Sequence, residues 1–253
     1  MADISLSFYS HSLARSVPLR AFIPVDAADA SPTAPVTPLP ALYLLHGLNG
    51  CERDWFQYTR VALWARQKRL AVICPAGENS FYVNRADSQE ACMTFIGEEL
   101  PAFTRNLFPL SRRREDTFIG GLSMGGYGAL NAGFLYPETF GKVAALSAAL
   151  HFWTRMNDDQ AAFVLRPAYA RALFGNDPSA WDTEKLAEAC GKDKAPKLFL
   201  GCGAEDDLLD MNKQLDARLT SLGIRHEFRV SSGAHTWDYW DSTIHDVLDW
   251  LLP

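Results

Sequence analysis

The sequence predicts an α/β fold: one doubly wound, mostly parallel sheet of eight strands, opened by an antiparallel pair. Three observations lead there. After residue 40, short continuous apolar runs alternate with amphipathic helical stretches, the pattern of a sheet covered on both faces. Before residue 40, two stretches alternate apolar and polar side chains, as strands with one solvated face do. Well after residue 40, the apolar run Phe118-Ile119 leads through a glycine-rich turn straight into a helix-like segment.

Residues 3–9 and 16–24, carrying Ile4, Leu6, Phe8, Val17, Leu19 and Phe22, form the opening pair. Proline donates no ladder bond, so Pro18 and Pro24 are expected at a sheet edge or at strand ends. Residues 27–40, with Pro32, Pro35, Pro38 and Pro40, read as an extended surface connection. Ala41–Leu45 and Leu70–Cys74 are short buried strands with a helix around Val61–Arg66 between them. A helical pattern runs from about Ser88 to Leu107, and Pro101 inside it predicts a kink or break. The run 116–120 feeds the glycine-rich turn and a helix that Pro137 stops. Lys142–Ser147 is the next strand. Residues 148–190 carry no strand signal but hold Trp153, Phe163, Tyr169, Phe174 and Trp181, and are expected to form a partly helical, aromatic-rich insertion near the candidate site. Lys197–Gly201 and Arg225–Val230 are the last strands. The helix between them is marked by Leu208, Met211, Leu215, Leu219 and Leu222, and a closing helix by Ile244, Val247, Leu248 and Leu251. Without internal repeats, residues 1–253 read as a single domain.

A net charge of −6 over 253 residues recommends neither nucleic acid nor an anionic membrane as partner. No run reaches the length of a membrane span, and the start Met1-Ala2-Asp3-Ile4-Ser5 has no basic region followed by an apolar one, so a cytoplasmic protein is expected. Cys51, Cys74, Cys92, Cys190 and Cys202 are odd in number and contain no CxxC pair. They read as free thiols, with neither a metal nor another cofactor called for.

In a doubly wound sheet, functional side chains sit just after the strands. Gly121-Leu122-Ser123-Met124-Gly125 follows one strand, Gly203-Ala204-Glu205-Asp206 another, and Ser232-Gly233-Ala234-His235 the last. GxSxG between a strand and a helix is the pattern of a sharp turn that exposes a nucleophilic serine, although glycine-rich strand-to-helix turns also cradle phosphates. Serine, aspartate and histidine in that chain order suit nucleophilic catalysis. Neutral His235 takes the proton of Ser123, and Asp206 fixes its tautomer and stabilises the imidazolium. The backbone N–H groups of Met124, after the nucleophile, and Leu48, after His46-Gly47, are placed to stabilise an oxyanion. His46 is expected to hold that loop through its side chain. Trp55, Tyr82, Trp153 and Trp237 are candidates for lining a pocket for a small-molecule substrate.

These stretches resemble the esterase D-like α/β-hydrolases, and within them the small tributyrin esterases more than the S-formylglutathione hydrolases. The resemblance is carried by Phe8-Tyr9-Ser10, Tyr43-Leu44-Leu45-His46-Gly47-Leu48, Gly120 to Leu130, Cys202-Gly203-Ala204-Glu205-Asp206, and Gly233-Ala234-His235-Thr236-Trp237-Asp238-Tyr239-Trp240-Asp241. It implies an α/β-hydrolase fold and a serine carboxylesterase that cleaves acetyl to butyryl esters through an acyl-enzyme, with Ser123, Asp206 and His235 as its triad. It also implies a homo-oligomer, as is common among similar esterases. S-formylglutathione hydrolases usually carry a cysteine where this chain has Gly50 and a histidine where it has Tyr127, which moves the expectation away from the thioester. Feruloyl or acetyl-sugar esters, transfer to another alcohol, and a non-catalytic binding role are the competing readings.

Overall fold

A computed structural model of the protein describes residues 2–25, 37–151 and 166–253. Eight strands form one sheet: β1 (Ala2–Ser10), β2 (Arg15–Ile23), β3 (Ala41–Leu45), β4 (Ala71–Pro75), β5 (Thr117–Leu122), β6 (Lys142–Leu146), β7 (Lys197–Gly203) and β8 (His226–Ser231). Their spatial order is β1-β2-β4-β3-β5-β6-β7-β8. β2 pairs antiparallel with both its neighbours, and every other pairing is parallel.

The continuous apolar runs are explained by the two layers that cover the sheet. In β3, Leu42 and Leu44 face one layer while Ala41, Tyr43 and Leu45 face the other; in β6, Ala144 and Leu146 are opposed in the same way to Val143 and Ala145. The first layer holds α1 (Asp54–Tyr58), α2 (Val61–Gln67) and α9 (Trp237–Leu251), joined through Trp55, Val61, Ala65, Trp240, Ile244 and Val247. The second holds the helical stretch from α3 (Cys92–Thr94) to α4 (Leu100–Leu107), then α5 (Met124–Leu135), α6 (Pro167–Phe174), α7 (Thr183–Cys190) and α8 (Leu209–Ser221). α5 is buried from Met124 to Phe134, which is why its sequence shows no polar face.

Several boundaries depart from the sequence expectation. β2 lies inside the sheet, with β1 at the edge. Pro18 is tolerated there because the ladder to β4 begins at Leu19↔Pro75; on that side Pro18 offers only its carbonyl, to Ala76 N at 3.0 Å. The long helix begins at Cys92, and Pro101 does not break it. A π-helical turn, Phe95–Glu99, precedes the proline and absorbs the lost i→i−4 bond. Asp116 belongs to a 3₁₀ turn, Arg114–Asp116, and its carboxylate accepts from Ser111 Oγ at 2.6 Å, so β5 starts one residue later. The closing helix begins at Trp237, seven residues before its apolar stripe announces it. Within 148–190, α6, a 3₁₀ turn at Pro178–Trp181 and α7 are described; residues 152–165 lie outside the described residues. No helix among the described residues is long and apolar enough to cross a membrane.

Candidate active site

Ser123 stands between β5 and α5 with φ 53° and ψ −118°. A side chain held there stores roughly 1–3 kcal/mol of strain, so neighbouring contacts must impose it. Ser123 N donates to Leu146 O at 2.8 Å, and its carbonyl accepts from Tyr127 N at 3.0 Å and Ala149 N at 3.1 Å. The flanking glycines meet each other and the end of β3. A Cβ on Gly121 would lie 2.5 Å from the Gly125 carbonyl, and one on Gly125 would lie 2.5 Å from Leu45 O. Backbone closes both spaces, which explains why GxSxG carries glycine on both sides of the turn.

Asp206 follows β7 and His235 follows β8, and the two loops are bonded to each other. Ala204 N donates to Ser231 O at 2.8 Å and Glu205 N to Gly233 O at 3.0 Å, while Gly233 N returns a bond to Glu205 Oε2 at 2.5 Å. Gly203 packs so closely on Gly233 that an added Cβ would sit 2.0 Å from its carbonyl oxygen. This pairing sets Asp206 Oδ2 2.9 Å and Oδ1 3.2 Å from His235 Nδ1. Asp206 Oδ1 also accepts from Leu208 N at 2.9 Å.

The Asp206 side chain has no solvent exposure, whereas that of His235 is 35% exposed. Burial alone would raise the Asp206 carboxyl. Hydrogen bonds from His235, Leu208 N–H and the Ser147 hydroxyl outweigh it and hold the group below the ordinary carboxylate value. An ionised carboxylate only accepts, so Nδ1 of His235 carries the proton and Nε2 is left as a base. Of the neighbouring acids, Glu205 is engaged with Gly233 and Asp210 pairs with Lys213 on the surface; Asp206 is the one buried against the imidazole.

Ser123, Asp206 and His235 line one open cavity of about 900 Å³, with Leu48, Trp237 and Trp240 among the other lining residues. Gly47 packs on the elbow, where an added Cβ would meet Leu122 Cδ1 at 2.6 Å and Ser123 Cβ at 3.5 Å, and this brings Leu48 to the nucleophile. His46 holds the loop from below. Gly77 N donates to its Nε2 at 2.8 Å, so the proton is on Nδ1, which donates to Gly47 O at 2.7 Å. Burial lowers the His46 pKa and keeps the ring neutral. Met124 opens α5, so its N–H has no intrahelical acceptor.

Of the aromatic residues expected to line a pocket, Trp237 lies in the cavity wall. Trp55 sits behind it, buried edge-on to Trp237 at 5.5 Å between ring centroids, with Nε1 donating to Leu45 O at 2.9 Å. Tyr82 is a correction. It is fully buried, covers Gly77 and Gly128 with its ring and donates its hydroxyl to His46 O at 3.1 Å, which makes it a support of the loop rather than part of the cavity lining. Trp153 lies outside the described residues. Sequence reasoning gave no role at the site to Trp240, quoted only for the family resemblance, or to Ser147. Trp240 stands one helical turn beyond Trp237, and Ser147 follows β6 as Ser123 follows β5, so the rule of looking after strands reaches it too.

The chain is similar to known esterases over nearly its whole length. Residues 10–251 match the family model named Esterase. The chain is 36% identical to an acetyl esterase of Caldicellulosiruptor saccharolyticus over 99% of its own length and 98% of the relative's. It is 27% identical to an S-formylglutathione hydrolase of Paracoccus denitrificans over 74% of the chain and 72% of that protein. Among solved structures, the substrate-bound fluorophosphonate-binding serine hydrolase FphF of Staphylococcus aureus superposes with a TM-score of 0.89 at 29% identity, covering 100% of this chain and 98% of that one.

Proposed function

Because the chain belongs to the esterase family, we propose that it is a serine carboxylesterase that cleaves short-chain acyl esters, acetyl to butyryl, through an acyl-enzyme on Ser123. The observation that carries this reading is a serine on a strained strand-to-helix turn opening into the same cavity as a buried carboxylate bonded to Nδ1 of an imidazole.

The chemistry follows from those protonation states. His235 Nε2 removes the Ser123 proton as Oγ attacks the ester carbonyl, and the imidazolium is stabilised by Asp206. The backbone N–H groups of Leu48 and Met124 receive the oxyanion. Collapse expels the alcohol, which takes the proton from His235. Water, deprotonated by the same imidazole, then attacks the acyl-enzyme; its collapse returns the proton to Ser123 and releases the acid.

Trp237 forms part of the substrate wall in this proposal, and the five unbridged cysteines support a reducing, cytoplasmic setting. The test is turnover of p-nitrophenyl esters from acetate to decanoate beside S-formylglutathione. A maximum at four carbons or fewer supports the proposal; a maximum at eight or more, or a dominant thioester, overturns it. Ser123→Ala is expected to abolish turnover and fluorophosphonate labelling while leaving the fold intact.

A further inference from the structure

Asp206 and His235 bond to each other, and a second bonded pair of side chains, Trp240 and Ser147, backs the imidazole. Ser147, immediately after β6, is fully buried, and its N–H donates to Gly201 O at 2.7 Å. Its φ of 48° is a conformation that glycine would adopt without strain, yet the position carries a hydroxyl. Ser147 Oγ accepts the indole N–H of Trp240 at 3.2 Å. The Ser147 hydroxyl also contributes to holding the Asp206 carboxyl below its ordinary value. Trp240, 5% exposed, meets the His235 imidazole edge to face, with centroids 4.8 Å apart and planes at 86°. Asp206, His235, Trp240 and Ser147 thus form a chain of contacts.

We propose that Trp240 and Ser147 are positioning residues for the base: the indole fixes the plane of the His235 imidazole, and the Ser147 hydroxyl fixes that indole, so that Nε2 is presented to Ser123. The inference rests on the triad reading above. It draws on three elements, since α9 supplies the indole, the end of β6 the hydroxyl and the turn after β7 the carboxylate. A buried indole N–H needs an acceptor, and a plain packing role for the ring would not require that acceptor to be a strained serine.

The test measures kcat and KM for p-nitrophenyl acetate in Trp240→Phe, which keeps a ring and removes the N–H, in Ser147→Gly, which removes the hydroxyl and relaxes the backbone, and in the double variant. Each single change is expected to lower kcat about tenfold, the scale of one buried hydrogen bond, with KM held within about twofold. The double variant is expected to lose no more than the worse single one, because both groups act along one path. Unchanged kcat in folded Ser147→Gly overturns the proposal. So does a raised KM with unchanged kcat in Trp240→Phe, or losses that multiply in the double variant. Should Trp240→Phe fail to fold, Ser147→Gly decides alone. Ser123→Ala separates the two levels: if it retains turnover, the triad reading falls and the positioning pair with it, whereas if it is inactive and the other variants keep full kcat, only the positioning pair falls.

Discussion

Glu205 and Gly233 hold each other twice: the carboxylate accepts the Gly233 N–H at 2.5 Å, and the Gly233 carbonyl accepts the Glu205 N–H at 3.0 Å. One side chain therefore reinforces the backbone bonds that join the turn carrying Asp206 to the loop carrying His235. Removing it loosens the base against its carboxylate without touching either. Glu205→Ala is expected to lower kcat for p-nitrophenyl acetate several-fold, and stability by about 1 kcal/mol, since water reaches the exposed site and replaces much of the bond. Glu205→Gln retains an acceptor and is expected to recover most of both, as steady-state kinetics and urea unfolding will show.

The elbow glycines make a steeper prediction. A Cβ on Gly125 meets the carbonyl oxygens of Leu45 at 2.5 Å and His46 at 2.6 Å, and backbone cannot yield as a side-chain tip can. Gly125→Ala is expected to destabilise the protein by about 3 kcal/mol, at the upper end of overpacking costs. Gly191, at φ 74° with nothing within 4 Å of an added Cβ, is the control. Gly191→Ala carries backbone strain alone, roughly 1–3 kcal/mol, and is expected to keep full activity. Turnover of the folded variants beside their chemical denaturation midpoints checks the contrast.

Asp206→Asn removes the acceptor that selects the Nδ1–H tautomer. In Ser-His-Asp proteases the same change lowers kcat by about 10⁴, and a loss on the order of 10³ to 10⁴ is expected here. The effect on stability follows from the direction of the shift. The folded-state value of Asp206 lies below the unfolded one, so its contribution is complete above the ordinary carboxylate range, near pH 4, and disappears as pH falls through the lower folded value. The stability difference between the native protein and Asp206→Asn should be level at neutral pH and shrink in acid, as urea unfolding at stepped pH will report.

His46 predicts a slope nearer neutrality. Burial keeps its folded-state value below the ordinary imidazole value of about 6.5, so below that pH the unfolded chain binds a proton that the folded one refuses. Its contribution is complete above about pH 6.5 and is lost as pH falls toward the folded value. Protonation would also turn Nε2 into a second donor facing the Gly77 N–H. His46→Phe, stable or not overall, should lack this part of the pH slope in thermal melts between pH 5 and 7.

The parts of the fold legible in sequence were those where both faces of a strand are covered, because burial on two sides leaves an uninterrupted apolar run such as Leu42–Leu45 or Val143–Leu146. The places of Ser123 and Asp206 were legible for a related reason, each standing a few residues past such a run, whereas His235 follows β8, an edge strand with no fully buried residue. The roles of the aromatics were not. Tyr82 and Trp237 look alike as letters, yet the first supports the His46 loop from the interior while the second faces the cavity, a difference decided by which loop folds under which. The start of α9 was hidden as well, since Trp237–Ser242 pack against loops and other aromatics rather than presenting an aliphatic stripe to the sheet.

The two layers that cover the sheet also divide the reaction between them. Ser123 caps a helix seated in one apolar compartment, while the imidazole leans on an indole rooted in the other, with the strands as a wall between. Warming that loosens only the thinner compartment of α1, α2 and α9 separates base from nucleophile while the strands remain intact. The enzyme should therefore fall silent several degrees before the main unfolding transition of the sheet, and should recover on cooling.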